Sequence, residues 1–142
     1  MKLIGLKTIK RNNMKEQFVS YEIALKLKEL DFDEECFSAY TEDGSLMDIG
    51  DYSNYDRIGE LDGHSYYISC LSPLWQQVID WCREVKNINV EVWYDNTQDD
   101  GFPWLYEIYI DNKEHQHDGS YYDSFYEARE QAILKAIELI KK

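Results

Sequence analysis

A chain of 142 residues fits one domain, and 44% apolar residues give it a core that needs neither disulfides nor metal and exclude wholesale disorder. No apolar run approaches the ~20 residues that span a bilayer, and Met1-Lys2-Leu3-Ile4-Gly5-Leu6-Lys7 is too short and too interrupted by lysine for a signal peptide. Of the net charge of −13, residues 1–15 contribute five basic side chains (Lys2, Lys7, Lys10, Arg11, Lys15) and no acid, which leaves −18 on residues 16–142 and disfavours free nucleic acid and anionic membrane as partners.

The chain therefore reads as a basic arm, residues 1–15, followed by a single α+β domain, residues 16–142. The first helix is expected over Ser20–Leu30, with Ile23, Ala24, Leu27 and Leu30 on one face. Cys36–Tyr40, Leu46–Ile49 and Tyr66–Cys70 are short strand candidates, separated by the turn-rich stretch 41–65. Ser72-Pro73 reads as an N-cap with proline at the first helical position. The second helix then carries the stripe Leu74, Trp75, Val78, Ile79, Cys82 and Val85.

Ile88–Tyr94 and Trp104–Asp111 both alternate with period two, and the Asp- and Asn-rich connection between them predicts a hairpin. Keeping both apolar sets on one face allows only registers whose residue numbers sum to an even value, such as Val92 opposite Tyr106 and Val90 opposite Ile108. Ser124 with Glu127 three residues later is a capping box. It opens a last helix with Phe125, Ala128, Ala132, Ile133, Ala136, Ile137 and Ile140 facing inward. The order is α-ββ(β)-α-ββ-α, and its simplest layering is one antiparallel sheet with helices packed on one face.

Phe18-Val19-Ser20-Tyr21-Glu22-Ile23-Ala24, Phe32-Asp33-Glu34-Glu35-Cys36, Ser72-Pro73-Leu74-Trp75-Gln76-Gln77-Val78-Ile79-Asp80-Trp81 and Tyr126-Glu127-Ala128 occur in that order. Together they resemble a family of short uncharacterised proteins of gut Bacteroidetes and their phages and prophages. The likeness covers Phe18 to Ile140, and Met14 matches the usual start. The family brings no activity, so the resemblance implies origin only. Asp31 stands where the pattern has a glycine ending the first helix, which counts against a left-handed cap there.

Several constellations carry chemistry. His115-Gln116-His117-Asp118 has metal-ligand spacing, with His64 as the one remaining imidazole, although its surroundings read as a solvated turn. In the register that sets Val92 opposite Tyr106, Glu91 and Glu107 lie directly opposite on the face away from the helices. There they could share a proton or simply splay into water. Trp93, Leu105 and Tyr109 flank them, and an aromatic, partly acidic sheet face suits protein binding. The competing expectation is that another stretch of this chain covers the face.

The eleven acids of Asp31–Asp62, against one Arg57, could imitate DNA phosphates or merely solubilise loops. Cys36, Cys70 and Cys82 sit at no motif spacing and read as reduced thiols of a cytoplasmic protein. No phosphate loop, nucleophile elbow or dinucleotide fingerprint occurs, so no catalytic residue and no cofactor is assigned.

The favoured expectation is a non-enzymatic cytoplasmic accessory protein acting through protein–protein contact at Glu91, Trp93, Glu107 and Tyr109, with a homo-oligomer as one form of that contact. The alternatives are an acidic DNA mimic that inhibits a nucleic-acid-binding protein, and a small metal- or carboxylate-dependent hydrolase.

Overall fold

A computed structural model describes residues 15–111, 113–116 and 119–141. Of the basic arm, residues 1–14 lie outside it, as do His117 and Asp118. The described residues form an α+β protein with three helices and seven strands, all strand pairs antiparallel. The strands make three small sheets rather than the one expected. The chain divides into two compact units, Met1–Trp75 and Gln76–Lys142.

In the first unit, α1 (Tyr21–Glu29) begins where Ser20 Oγ accepts the amide of Ile23 at 3.3 Å. Ile23, Ala24 and Leu27 are its buried face. The helix ends in a left-handed residue after all: Asp31 has φ 61°, its amide reaches Lys28 O (3.1 Å) and that of Phe32 reaches Leu27 O (3.1 Å). This is the Schellman pattern. An aspartate occupies the position glycine would take, because a short polar side chain tolerates the left-handed region better than most.

Strand β1 (Ser38–Tyr40) pairs with β4 (Cys70–Ser72), and every residue of both is buried. Leu46–Ile49 is no strand. Leu46 makes an isolated bridge to Tyr40, and the amide of Met47 bonds Ala39 O at 2.8 Å. Ser72 belongs to β4 opposite Ser38, so it does not cap the second helix, which starts at Trp75. Strands β2 (Ile58–Leu61) and β3 (His64–Tyr67) form a hairpin through Asp62 and Gly63, at φ 50° and 82°. Two consecutive positive-φ residues make the turn that matches strand twist, and Asp-Gly is its preferred sequence.

Helix α2 (Trp75–Lys86) spans the boundary between the units. Trp75, Val78, Trp81 and Cys82 are buried, whereas Val85 is 57% exposed. The buried stripe thus takes Trp81 in place of Val85, since an indole supplies far more apolar area at a neighbouring angle on the helix.

In the second unit, β5 (Ile88–Tyr94), β6 (Trp104–Ile110) and β7 (Glu114–Gln116) form a sheet in that order. The β5–β6 register is the expected even one: Val90 opposite Ile108, Glu91 opposite Glu107, Val92 opposite Tyr106. Helix α3 (Phe125–Lys141) packs on β5 and β6. Ala128, Ala132, Ile133, Ala136 and Ile137 are buried on the helix, and Ile88, Val90, Tyr106 and Ile108 on the sheet. Small alanines let the helix approach closely while the isoleucines fill the gaps. The amide of Glu127 bonds Ser124 Oγ at 3.1 Å, which is one half of the capping box. A hydrogen bond between the Glu127 and Asp123 carboxyls raises the Glu127 pKa.

Candidate functional site: the outer face of the β5–β6 hairpin

Because α3 takes the even-numbered side of the hairpin, the odd-numbered residues Asn89, Glu91, Trp93, Leu105, Glu107 and Tyr109 share the other face. Glu91 is exposed, Trp93 is 44% exposed, and Glu107 and Tyr109 are half-buried. All four residues singled out from the sequence are therefore brought together on one face, with the tryptophan turned outward.

Their arrangement differs from a pair of carboxylates sharing a proton. The Trp93 indole Nε1–H donates to Glu107 Oε1 at 2.9 Å, and the Tyr109 hydroxyl donates to Glu107 Oε2 at 2.9 Å. Each oxygen of Glu107 thus accepts from a neutral donor on the same strand or the one beside it. Tyr109 answers in its own titration: donation to Glu107 raises its pKa first, followed by burial and the charges of Glu107 and Glu91. The face is an aromatic pair clamped on one carboxylate, with Glu91 as a second negative charge directly across the ladder.

The connection at the hairpin tip is equally ordered. Asp95 accepts from the Thr97 amide (3.0 Å), the Thr97 hydroxyl (2.6 Å) and the Tyr121 hydroxyl (3.2 Å). The Thr97 bonds lower the Asp95 pKa most. Tyr94, Trp104 and Phe125 form an edge-to-face chain with centroids 5.1 and 5.4 Å apart. Arg129, buried on α3, lies 5.3 Å from the Phe125 ring centroid and 5.4 Å from that of Tyr126. The sequence reading placed only apolar residues on that helical face and missed this guanidinium, whose pKa burial lowers.

His64 is exposed at the start of β3, and of the His115-x-His117-Asp118 string the last two residues lie outside the described ones. Among the described residues no three His, Cys, Asp or Glu side chains are grouped to hold a metal ion. Cys36, Cys70 and Cys82 are buried free thiols, and burial pushes Cys70 up to about 11 and Cys82 up to about 12.

Within the acidic run, several carboxylates hold their own turns. Asp43 accepts from Thr41 and Ser45, Asp56 from the Ser53 amide at 2.7 Å, and Asp48 from the Asp62 amide at 3.3 Å. A groove of about 520 Å³ lies beside the 41–45 turn, lined by Ile58, Tyr66 and Tyr67 among others. No helix among the described residues is long and apolar enough to cross a membrane. No protein family, curated protein or solved structure matches the chain.

Proposed function

We propose that this chain is a non-enzymatic accessory protein of the phage or mobile-element type, working in the cytoplasm through protein–protein contact at the outer face of the β5–β6 hairpin. The observation that carries this reading is the Trp93–Glu107–Tyr109 clamp. A tryptophan 44% exposed, yet fixed through its indole N–H, offers large apolar area whose rotamer is already chosen. Such a residue loses little side-chain entropy on docking. The inert, buried thiols at Cys70 and Cys82 agree with a reducing compartment. The acids of Asp31–Asp62 that hold turns give mimicry of a phosphate ladder less support than the hairpin face gives docking.

The test is quantitative affinity capture from the cells that naturally produce the chain, comparing the wild type with Trp93→Ala and with Tyr126→Ala. Tyr126 is also exposed but lies on α3. One protein enriched by the wild type and by Tyr126→Ala, and depleted at least tenfold by Trp93→Ala, supports the reading. Equal recovery by all three contradicts it. Sedimentation of the purified chain separates a second copy from a foreign partner.

A further inference from the structure

We propose that the free edge of β5 accepts an added strand, and that its occupant is an extended segment of a partner protein with a lysine or arginine opposite Glu91 between two apolar residues. This deepens the docking reading above, on which it rests, by naming how the partner engages and what chemistry it brings.

The ladder itself identifies the open groups. The Asp111 amide donates to Asn87 O at 3.0 Å, and the Asp95 amide donates to Pro103 O at 2.8 Å. Both pairs continue the β5–β6 register, one before the strand pair and one after it. Hydrogen-bonded pairs alternate along an antiparallel ladder, so Asn89, Glu91 and Trp93 turn their main-chain groups toward β6. Ile88, Val90, Val92 and Tyr94 turn theirs away.

On β6 the same alternation sends Trp104 outward, where it exchanges two bonds with Tyr122 (3.1 and 2.7 Å), and β7 covers Ile108–Ile110. The far side of β5 has no such cover: among the described residues no strand or bridge pairs with Val90 or Val92 there. A groove of about 490 Å³ runs along that edge, bounded by Ile79 and Arg83 of α2 and by Phe125. An unpaired seven-residue edge is a template for strand addition.

Charge selects the occupant. An added strand hydrogen-bonded to Val90 and Val92 places its intervening residue across from Glu91 in a non-hydrogen-bonded pair, where side chains come closest. Glu91 is exposed and already faces Glu107 on its other side, so a cation across the open edge adds an unlike neighbour to offset the like one. Arg83 does not fill this role, because it pairs with Asp80 at 3.0 Å. A second copy is a poor occupant. It sets a net charge of −13 against −13, and the symmetric pairing centred on Glu91 opposes two carboxylates.

The probe is an end-blocked peptide, Val-Thr-Val-Lys-Val-Thr-Val with Gly-Ser tails, added to the full chain while amide hydrogen exchange is followed by NMR. With peptide bound, the Val90 and Val92 amides slow at least tenfold. Glutamate in place of the lysine weakens binding at least tenfold, and N-methylation of the two valines flanking the lysine abolishes it. Equal binding of the N-methylated peptide, or binding without protection at Val90 and Val92, overturns the proposal. So does protection of those amides before peptide is added, whether it grows with protein concentration, as for a second copy, or is independent of it, as when this chain covers its own edge. Trp93→Ala leaves the peptide-dependent protection in place, so the edge proposal and the outer-face reading fail separately.

Discussion

Reversing the charge at Glu91 gives the sharpest check on the hairpin geometry. Glu91 and Glu107 occupy a directly opposed, hydrogen-bonded pair. The Cα atoms in such pairs are about 5.5 Å apart, so the charges lie about 6 Å apart. Two unit charges at that distance in water interact by about 0.7 kcal/mol, and salt at about 0.1 M reduces this to about 0.4 kcal/mol. Glu91→Lys turns that repulsion into attraction and should stabilise the fold by about 0.8 kcal/mol. Glu107→Lys gains the same attraction but loses the acceptors for Trp93 and Tyr109, and should be net destabilising.

A double-mutant cycle isolates the pair, because the lost hydrogen bonds appear in both arms and cancel. Passing from like to unlike to like charges gives a coupling of about 1.5 kcal/mol. It should collapse in ~1 M salt, where the screening length is about 3 Å. Urea unfolding followed by tryptophan fluorescence measures each variant. A coupling below about 0.3 kcal/mol, or one that salt leaves unchanged, would refute the register and the outward face with it.

Three further outcomes are expected. Asp31→Gly should raise stability by up to about 1 kcal/mol in urea unfolding, since a left-handed position costs an L-residue about 1–2 kcal/mol and glycine gives part of that back in chain entropy; a loss would mean the side chain matters more than the backbone. Gly59→Ala should cost about 1–3 kcal/mol, because a Cβ there meets Met47 Sδ and comes within 2.8 Å of Tyr52 Cε1, and a neutral result would show that these side chains yield freely. Glu107→Gln should bring Tyr109 back toward the ordinary tyrosine pKa, read by phenolate absorbance. As a raised group, Tyr109 contributes stability that is present below pH ~10 and lost as pH rises through its folded value; an unchanged titration would mean that Glu107 is not its main perturber.

The C-terminal half was the more legible because its signals are periodic and local. Alternation over seven residues admits one sheet face, and parity then limits the partners of Glu91 to odd-numbered residues of β6, Glu107 among them. The Ser124 cap and the alanine-rich stripe fixed α3 in the same way. What parity cannot supply is side-chain direction: nothing in the spacing of Trp93, Glu107 and Tyr109 says that one carboxylate will hold both donors.

The first half was harder to read, since its strands are three or four residues long and show no period. β1 and β4 are buried throughout and pair across some thirty residues, a non-local choice that a local pattern does not encode. Ser72 looked like a cap because serine before proline commonly is one, but the sheet claimed it first. The Asp62-Gly63 turn was the neglected signal, for two short runs joined by Asp-Gly announce a hairpin. Arg129 went unread because its burial depends on the aromatic rings of Phe125 and Tyr126 accepting a guanidinium.

The central claim, that the outer hairpin face is where another protein docks, is tested most directly by placing a photo-crosslinking amino acid at position 105, opposite Trp93 on that face, and, separately, at position 85 on α2, in the cells that naturally produce the chain. Position 85 is exposed. The account predicts one discrete adduct from position 105, absent from position 85 and suppressed by Trp93→Ala. The same adducts from both positions, or none from position 105, would contradict it.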